Sequence, residues 1–202
     1  MSGWTTLSNT YQDPNVKQMK VERIFLHEQY ESYYADDICI VKLTKKIYPT
    51  QAVRYICLPQ SSTADVKIKD EVEIAGWGAL KEFSDFLNKS SIYPEMLMQA
   101  KIEILPNDNC PFGKNFNSDK QICAGTSDFK IDICGGDSGG PLMKQLGSVG
   151  SQQRYWYSFG IVNYGPKNPS CGEHTYAASV YVRLAAYRQW INEKLKISYL
   201  NI

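Results

Sequence analysis

Cys134-Gly135-Gly136-Asp137-Ser138-Gly139-Gly140-Pro141-Leu142 is the stretch on which the reading of this chain turns. Four glycines surround one serine, so the backbone can turn tightly and another chain can approach both the Ser138 hydroxyl and the amides beside it. A nucleophile needs that access. A Gly-rich surface turn without chemistry would carry the same short pattern, and only the flanking sequence separates the two.

Outward from this stretch the chain reads as all-β. VERIFL from Val21, DICIVKL from Asp37, EVEIAGWG from Glu71, AKIEIL from Ala100 and YWYSFGIV from Tyr155 are short strand-like runs parted by turn residues. Val72 and Ile74 alternate with Glu71 and Glu73, as on a strand with one wet face. Leu184, Tyr187, Ile191 and Leu195 recur at helical spacing and predict a closing helix over that span. The stretch from Lys81 to Glu95 reads as an irregular surface loop, and Gly147 to Arg154 as a hairpin loop. No linker or repeat divides the chain, and 202 residues that are 43% hydrophobic suffice for one domain over 1–202.

Charge and composition exclude several function classes. The net charge is +1, from 22 basic and 21 acidic residues that are intermixed, which leaves no basic stripe for nucleic acid. No apolar run approaches the ~18 residues of a membrane span, so no membrane partner is expected. No spacing of metal ligands stands out, and neither a metal nor another cofactor is expected. Six cysteines point to an oxidising, extracellular setting, whereas the opening MSGWTTLSNT lacks the apolar stretch of a secretory signal. That conflict leads to the expectation that the natural N-terminus lies upstream of Met1. The Asn88-Lys89-Ser90 sequon makes Asn88 a glycosylation candidate.

The Ser138 stretch resembles the active-serine loop of the trypsin and chymotrypsin family of serine proteases. Asp37-Ile38-Cys39-Ile40-Val41-Lys42-Leu43 resembles the segment carrying the triad aspartate, Ile56-Cys57-Leu58-Pro59 the domain-linking segment, and Ala75-Gly76-Trp77-Gly78 a strand of the second barrel. Gln121-Ile122-Cys123-Ala124-Gly125, Gly160-Ile161-Val162-Asn163-Tyr164-Gly165 and Tyr187-Arg188-Gln189-Trp190-Ile191 are similar to the segment before the serine loop, the strand along the substrate channel and the closing helix. The resemblance runs from about Val21 to Leu195. It implies a double antiparallel β-barrel with a C-terminal helix, the first barrel incomplete. Asn163-Tyr164-Gly165-Pro166 and Pro169-Ser170-Cys171-Gly172 are further similar to arthropod clip-domain serine proteases, which implies a secreted zymogen. Its partners would be protein substrates or zymogens of a proteolytic cascade and, for a complete enzyme, serpin-type inhibitors.

By the same resemblance Ser138 is the nucleophile, the amides of Gly136 and Ser138 form the oxyanion hole, and Asp37, rather than its neighbour Asp36, orients the base. Asp132 stands at the floor of the primary specificity pocket, which Gly165 and Ser179 line, and a carboxylate there favours a substrate Arg or Lys. Ile133 replaces a small polar neighbour and is expected to narrow or dry that pocket. Asn163 replaces a serine and is expected to donate to Asp37, and Tyr164 replaces a tryptophan. The resemblance pairs Cys110 with Cys123 and Cys134 with Cys171. A further family bridge is absent at both ends, at Val72 and Lys144. Cys39 and Cys57 are left as unpaired thiols, Cys39 as a small core residue.

The family's catalytic histidine precedes the aspartate, and the free N-terminus of its mature enzymes pairs with the residue matching Asp137. Of the two histidines here, neither His27 nor His174 stands in the family's context for the base. Loss of that histidine typically costs about a million-fold in turnover, so the chain as written is expected to be inactive. Three readings follow: part of a trypsin-like endopeptidase that cleaves after Arg or Lys, a non-catalytic homologue serving as a binding cofactor or decoy, or a transcript that yields no stable protein.

Overall fold

Val21–Leu26 (β1) and Cys39–Leu43 (β2) pair antiparallel as a two-stranded sheet, with Leu26 opposite Cys39. The structure is a computed structural model that describes residues 18–60, 64–84, 89–126, 131–147, 153–165 and 178–200. Among these residues little covers the faces of this sheet: Ile24 and Val41 are exposed and Leu26 is 63% exposed. Cys39 and Cys57 are free thiols, as expected, but Cys39 is exposed rather than part of a core. Its neighbours Ile38 and Ile40 pack toward the core cluster of Leu184, Tyr187 and Ile191, so strand alternation turns Cys39, like Val41, outward.

The remaining long strands close on themselves. Glu71–Gly76 (β3), Lys81–Ser84 (β4), Lys89–Ile92 (β5), Met98–Ile104 (β6), Gln121–Gly125 (β7), Pro141–Gly147 (β8), Arg154–Tyr164 (β9) and Ala178–Arg183 (β10) follow in chain order. Six of them form a closed barrel in the order β10-β7-β6-β3-β8-β9, every pairing antiparallel. The alternation in β3 works as the sequence predicts: Val72 and Ile74 enter the barrel core with Ile102, Leu142 and Phe159. Strands β7 and β10 are buried nearly throughout, because a second layer covers their outer faces. Ile122, Ala124 and Tyr181 point into the barrel, whereas Cys123, Ala178 and Val180 pack outside it. A strand wet on neither face has no alternation to read, only a continuous apolar run.

The Lys81–Glu95 stretch is not an irregular loop: β4 and β5 form their own antiparallel hairpin, Lys81 opposite Ile92 and Ser84 opposite Lys89. Lys-Glu-Phe-Ser and Lys-Ser-Ser-Ile are four residues each and have no shared apolar stripe. Their pairing rests on the backbone ladder, which periodicity does not detect.

The closing helix (α1) spans Arg188–Leu200, four residues later than the spacing predicts. Leu184 to Tyr187 form a tight turn in which Tyr187 N donates to Leu184 O and Arg188 N to Ala185 O. Turns of this kind and α-helix put residues three and four apart on one side alike, so Leu184, Tyr187 and Ile191 still pack together, against Ile38. Leu195 is 43% exposed and takes no part. The linking segment is tied to β9: Cys57 N donates to Trp156 O at 2.9 Å and Ser158 N to Cys57 O at 2.9 Å.

Candidate functional site

The Ser138 turn leaves one end of β8 and is tied to β9. Gly139 N donates to Val162 O at 2.9 Å and Val162 N to Gly140 O at 2.8 Å, so the turn rides on the barrel wall. Gly136 has φ +101° and Gly139 φ +83°, in the left-handed half of the map that side-chain-bearing residues avoid. Ser138 is exposed, and its hydroxyl and amide, like the amide of Gly136, have no hydrogen-bond partner among the described residues. Two unspent N–H groups flanking an exposed hydroxyl can hold a negative oxygen.

Asp137 locks the turn from beneath. Its carboxylate accepts from Gly78 N at 2.8 Å and Cys134 N at 3.0 Å. It faces a cavity of about 370 Å³ whose other walls include Ile74, Ala79, Met98, Ile131 and Asp132.

The predicted pocket residues converge. Ser179 Oγ donates to Asp132 Oδ1, and Ile133 N donates to the same oxygen at 2.7 Å. A methyl group on Gly165 would meet Ser179 Oγ at 3.0 Å, and both Asp132 Oδ2 and Ile133 Cγ1 at 3.9 Å, so glycine lets the backbone approach Ser179 closely. Ile133 is buried in the barrel core, where it packs with Val162 and Tyr181 while one edge faces the pocket. Tyr181 escaped the sequence reading. It lies two residues from Ser179 on β10 and therefore on the same face, it is 0% exposed, and its hydroxyl has no partner among the described residues. Burial, then the charges of Asp132 and Asp137, push its phenol well above the ordinary value.

Asp37 is half-buried and lines a second cavity, of about 410 Å³, together with Asp36, Lys120, Asn163 and Tyr187. Burial raises its carboxyl above the usual carboxylate range. Asn163 shares that cavity but makes no hydrogen bond to Asp37, contrary to the sequence expectation; its Oδ1 is buried without a partner among the described residues. Asn163 follows Val162, which holds the serine turn, so the end of β9 serves both cavities.

His27 is not beside Asp37. It follows β1, packs edge-on against Tyr187 and tilted against Trp190, and its Nδ1 accepts from Gln29 N at 3.2 Å while standing 3.8 Å from Asp36. Two aromatic rings and a backbone amide thus hold it in a structural seat. His174, Asn88 and Cys171 lie outside the described residues. Cys110 and Cys123 form a disulfide, and Cys134 is disulfide-bonded as well. The described residues contain no cluster of His, Cys, Asp and Glu able to hold a metal ion.

Tyr164 sits among aromatic rings, with Tyr34 at 5.0 Å, Phe112 at 5.1 Å and Tyr33 at 5.9 Å between centroids. Its hydroxyl donates to Asn115 O at 2.8 Å, and burial pushes its pKa up to about 12.

The sequence is similar to those of known proteins. The sequence profile of the family described as Trypsin matches residues 2–191. Transmembrane protease serine 11G of Rattus norvegicus is 37% identical over 183 residues, covering 88% of this chain and 40% of that protein. Transmembrane protease serine 11B of Homo sapiens is 33% identical, covering 87% and 39%, and transmembrane protease serine 11A of Homo sapiens is 31% identical, covering 96% and 43%. The chain thus spans about two fifths of the length of these relatives.

Proposed function

The chain belongs to the trypsin family of serine proteases, and from that premise we propose that it supplies the nucleophile and the specificity pocket of an endopeptidase that cleaves protein chains after Arg or Lys. One observation supports the reading: Asp132, Ser179 and Gly165, far apart in sequence, are brought together, with the Ser179 hydroxyl on the Asp132 carboxylate and Gly165 close against both. In the proposed reaction Ser138 Oγ attacks the scissile carbonyl, the Gly136 and Ser138 amides receive the oxyanion, and Asp37 orients an imidazole that takes the serine proton. That imidazole comes from sequence outside these 202 residues, and the cavity at Asp137 takes a new N-terminus freed by zymogen cleavage. The 202 residues are then one trypsin-like protease domain whose first barrel is represented by β1 and β2.

A second reading, a non-catalytic homologue that binds through its cleft, draws support from His27, which is committed to Tyr187 and Trp190 rather than to Asp37. Both readings put the domain in an oxidising, extracellular setting, which the Cys110–Cys123 disulfide favours. The Asn163-Tyr164-Gly165-Pro166 phrase supports a secreted, clip-protease-like cascade enzyme acting on zymogens and answering to serpin-type inhibitors, whereas the relatives named above are transmembrane proteases by name. Among the described residues no helix is long and apolar enough to cross a membrane.

Kinetics separate the readings. The 202-residue chain is expected to hydrolyse Arg and Lys esters no faster than its Ser138→Ala variant. The protein extended upstream and activated by cleavage is expected to hydrolyse them, and Asp132→Ser to lower its kcat/KM for Arg substrates by at least ~3 kcal/mol while sparing a small apolar residue. An extended protein without activity would leave the binding reading. Preference for Leu or Phe, or Arg cleavage that survives Asp132→Ser, would overturn the pocket assignment.

A further inference from the structure

The turn that carries Asp37 is gripped by the barrel through its neighbour, Asp36. Asp36 is 8% exposed, and its carboxylate accepts from Lys120 Nζ at 2.7 and 2.9 Å and from the Tyr187 hydroxyl at 2.9 Å. Lys120 immediately precedes β7, and its carbonyl accepts from Arg183 N at the end of β10. Tyr187 stands just before α1. A third tie runs alongside, from Gln121 Nε2 to Tyr34 O at 3.2 Å. The two side chains on Asp36 are 84 and 151 residues away in sequence, so only the folded barrel brings them there.

The charged groups around Asp36 are Lys120, Tyr187, His27 and Asp37. Burial works against its ionised form, but the Lys120 ammonium and the Tyr187 hydroxyl outweigh burial and hold the carboxyl below its ordinary value. His27 gives no hydrogen bond from Nδ1, which is an acceptor for Gln29 N. The backbone at Asp36 has φ +53°, a left-handed conformation that aspartate tolerates better than most residues. Ile38 N donates to Asp36 O at 2.8 Å and closes a three-residue turn with Asp37 at its apex.

We infer that Asp36 is a positioning residue: the Lys120–Asp36–Tyr187 clamp fixes the turn that presents Asp37 to the cavity it shares with Asn163. The inference rests on Asp37 as the acid that orients the base. Without the clamp, Asp37 would be held by the packing of Ile38 and Ile40 and by the β1–β2 hairpin, whose other face, with Ile24, Leu26 and Val41, is exposed and which pairs with no barrel strand. A carboxylate so loosely held cannot keep the alignment, to well within ~1 Å, that orientation of a base demands.

The test is the titration of the Asp37 side-chain carboxyl by carbon NMR in the 202-residue chain, with exchange of the Ile38 amide measured alongside. Lys120→Met keeps the aliphatic stem and removes the grip. Loss of a positive charge by itself raises the pKa of a nearby carboxylate, whereas release of Asp37 into water lowers it toward the ordinary range, so the sign separates a lost charge from a lost position. The clamp predicts that Asp37 titrates lower in Lys120→Met and that Ile38 exchanges at least about tenfold faster relative to β7 and β10. Lys120→Arg, which keeps the ion pair, restores both. An Asp37 titration that stays put or rises overturns the inference. Should Lys120→Met fail to fold, Tyr187→Phe decides, with a smaller shift in the same direction expected and no shift overturning it. Neither readout involves catalysis: an extended protein that tolerates Asp37→Asn refutes the catalytic reading of Asp37 and leaves the clamp standing, whereas an Asp37 titration unmoved by Lys120→Met refutes only the clamp.

Discussion

Asp36 and Asp37 are chemically identical and adjacent, yet the structure gives them opposite electrostatic surroundings. Asp36 meets an ammonium and a phenol and stays ionised below its ordinary range, whereas Asp37 meets burial alone and is pushed up. Sequence context distinguished the two through a family phrase, but the partners of Asp36 come from Lys120 and Tyr187, which no local window contains. Tyr181 is hidden from the sequence for the same reason, since only the folded β10 buries its hydroxyl within the field of Asp132 and Asp137. Asp137 was legible from its place before Ser138, and its geometry supports a sharp expectation. Its carboxylate serves two backbone amides, Gly78 and Cys134, and Asp137→Asn turns one acceptor into a donor facing an N–H group. That change is expected to destabilise the fold by about 1–3 kcal/mol in denaturant unfolding and to speed exchange of the Gly78 amide. Unchanged stability would mean that water replaces the carboxylate without cost.

Among the elements, legibility follows the environment of each face. β3 alternates because one side is wet, and the run read from Glu71 to Gly78 starts with it and overshoots its end at Gly76 by two residues; β7 and β10 are covered on both sides, and β10 is not among the runs that the sequence offers as strands. The β4–β5 hairpin reads as a loop in the sequence because backbone pairing leaves no apolar period, and the helical spacing begins ahead of α1 because the preceding turn keeps it. The Cys110–Cys123 pair, inferred from family resemblance, closes a loop of 13 residues between the end of β6 and β7. A loop of that size restricts the unfolded chain by about 3 kcal/mol in the chain-entropy account. Replacing both cysteines by serine is therefore expected to cost about 2–4 kcal/mol in denaturant unfolding while the barrel still forms; loss of strand signal in the circular dichroism would show that the bridge organises β7 itself.

For the whole molecule, titration links the site to stability. Tyr164, Tyr181 and Tyr187 all have pKa values raised by burial, that of Tyr164 to about 12. A raised folded pKa gives stability that is fully present below the unfolded phenol value of about 10 and lost as pH rises through the folded value. Thermal midpoints should thus hold steady up to pH ~9 and fall steeply above ~10, and Tyr187→Phe should soften the fall. At the acid end Asp36 and Asp70 act with the reverse sign: their lowered folded values give stability that is present above ~3.9 and lost as pH falls through them, while Asp37, raised by burial, opposes that loss. The central claim is narrower than stability: a pocket floored by Asp132 accepts a basic side chain next to Ser138. Binding of a small aryl amidine, a flat cation on an apolar stem, to the 202-residue chain tests it without any need for a catalytic base. The account predicts saturable binding that Asp132→Ser abolishes and Ser138→Ala leaves intact. No binding by the folded chain, or binding that survives Asp132→Ser, would contradict it.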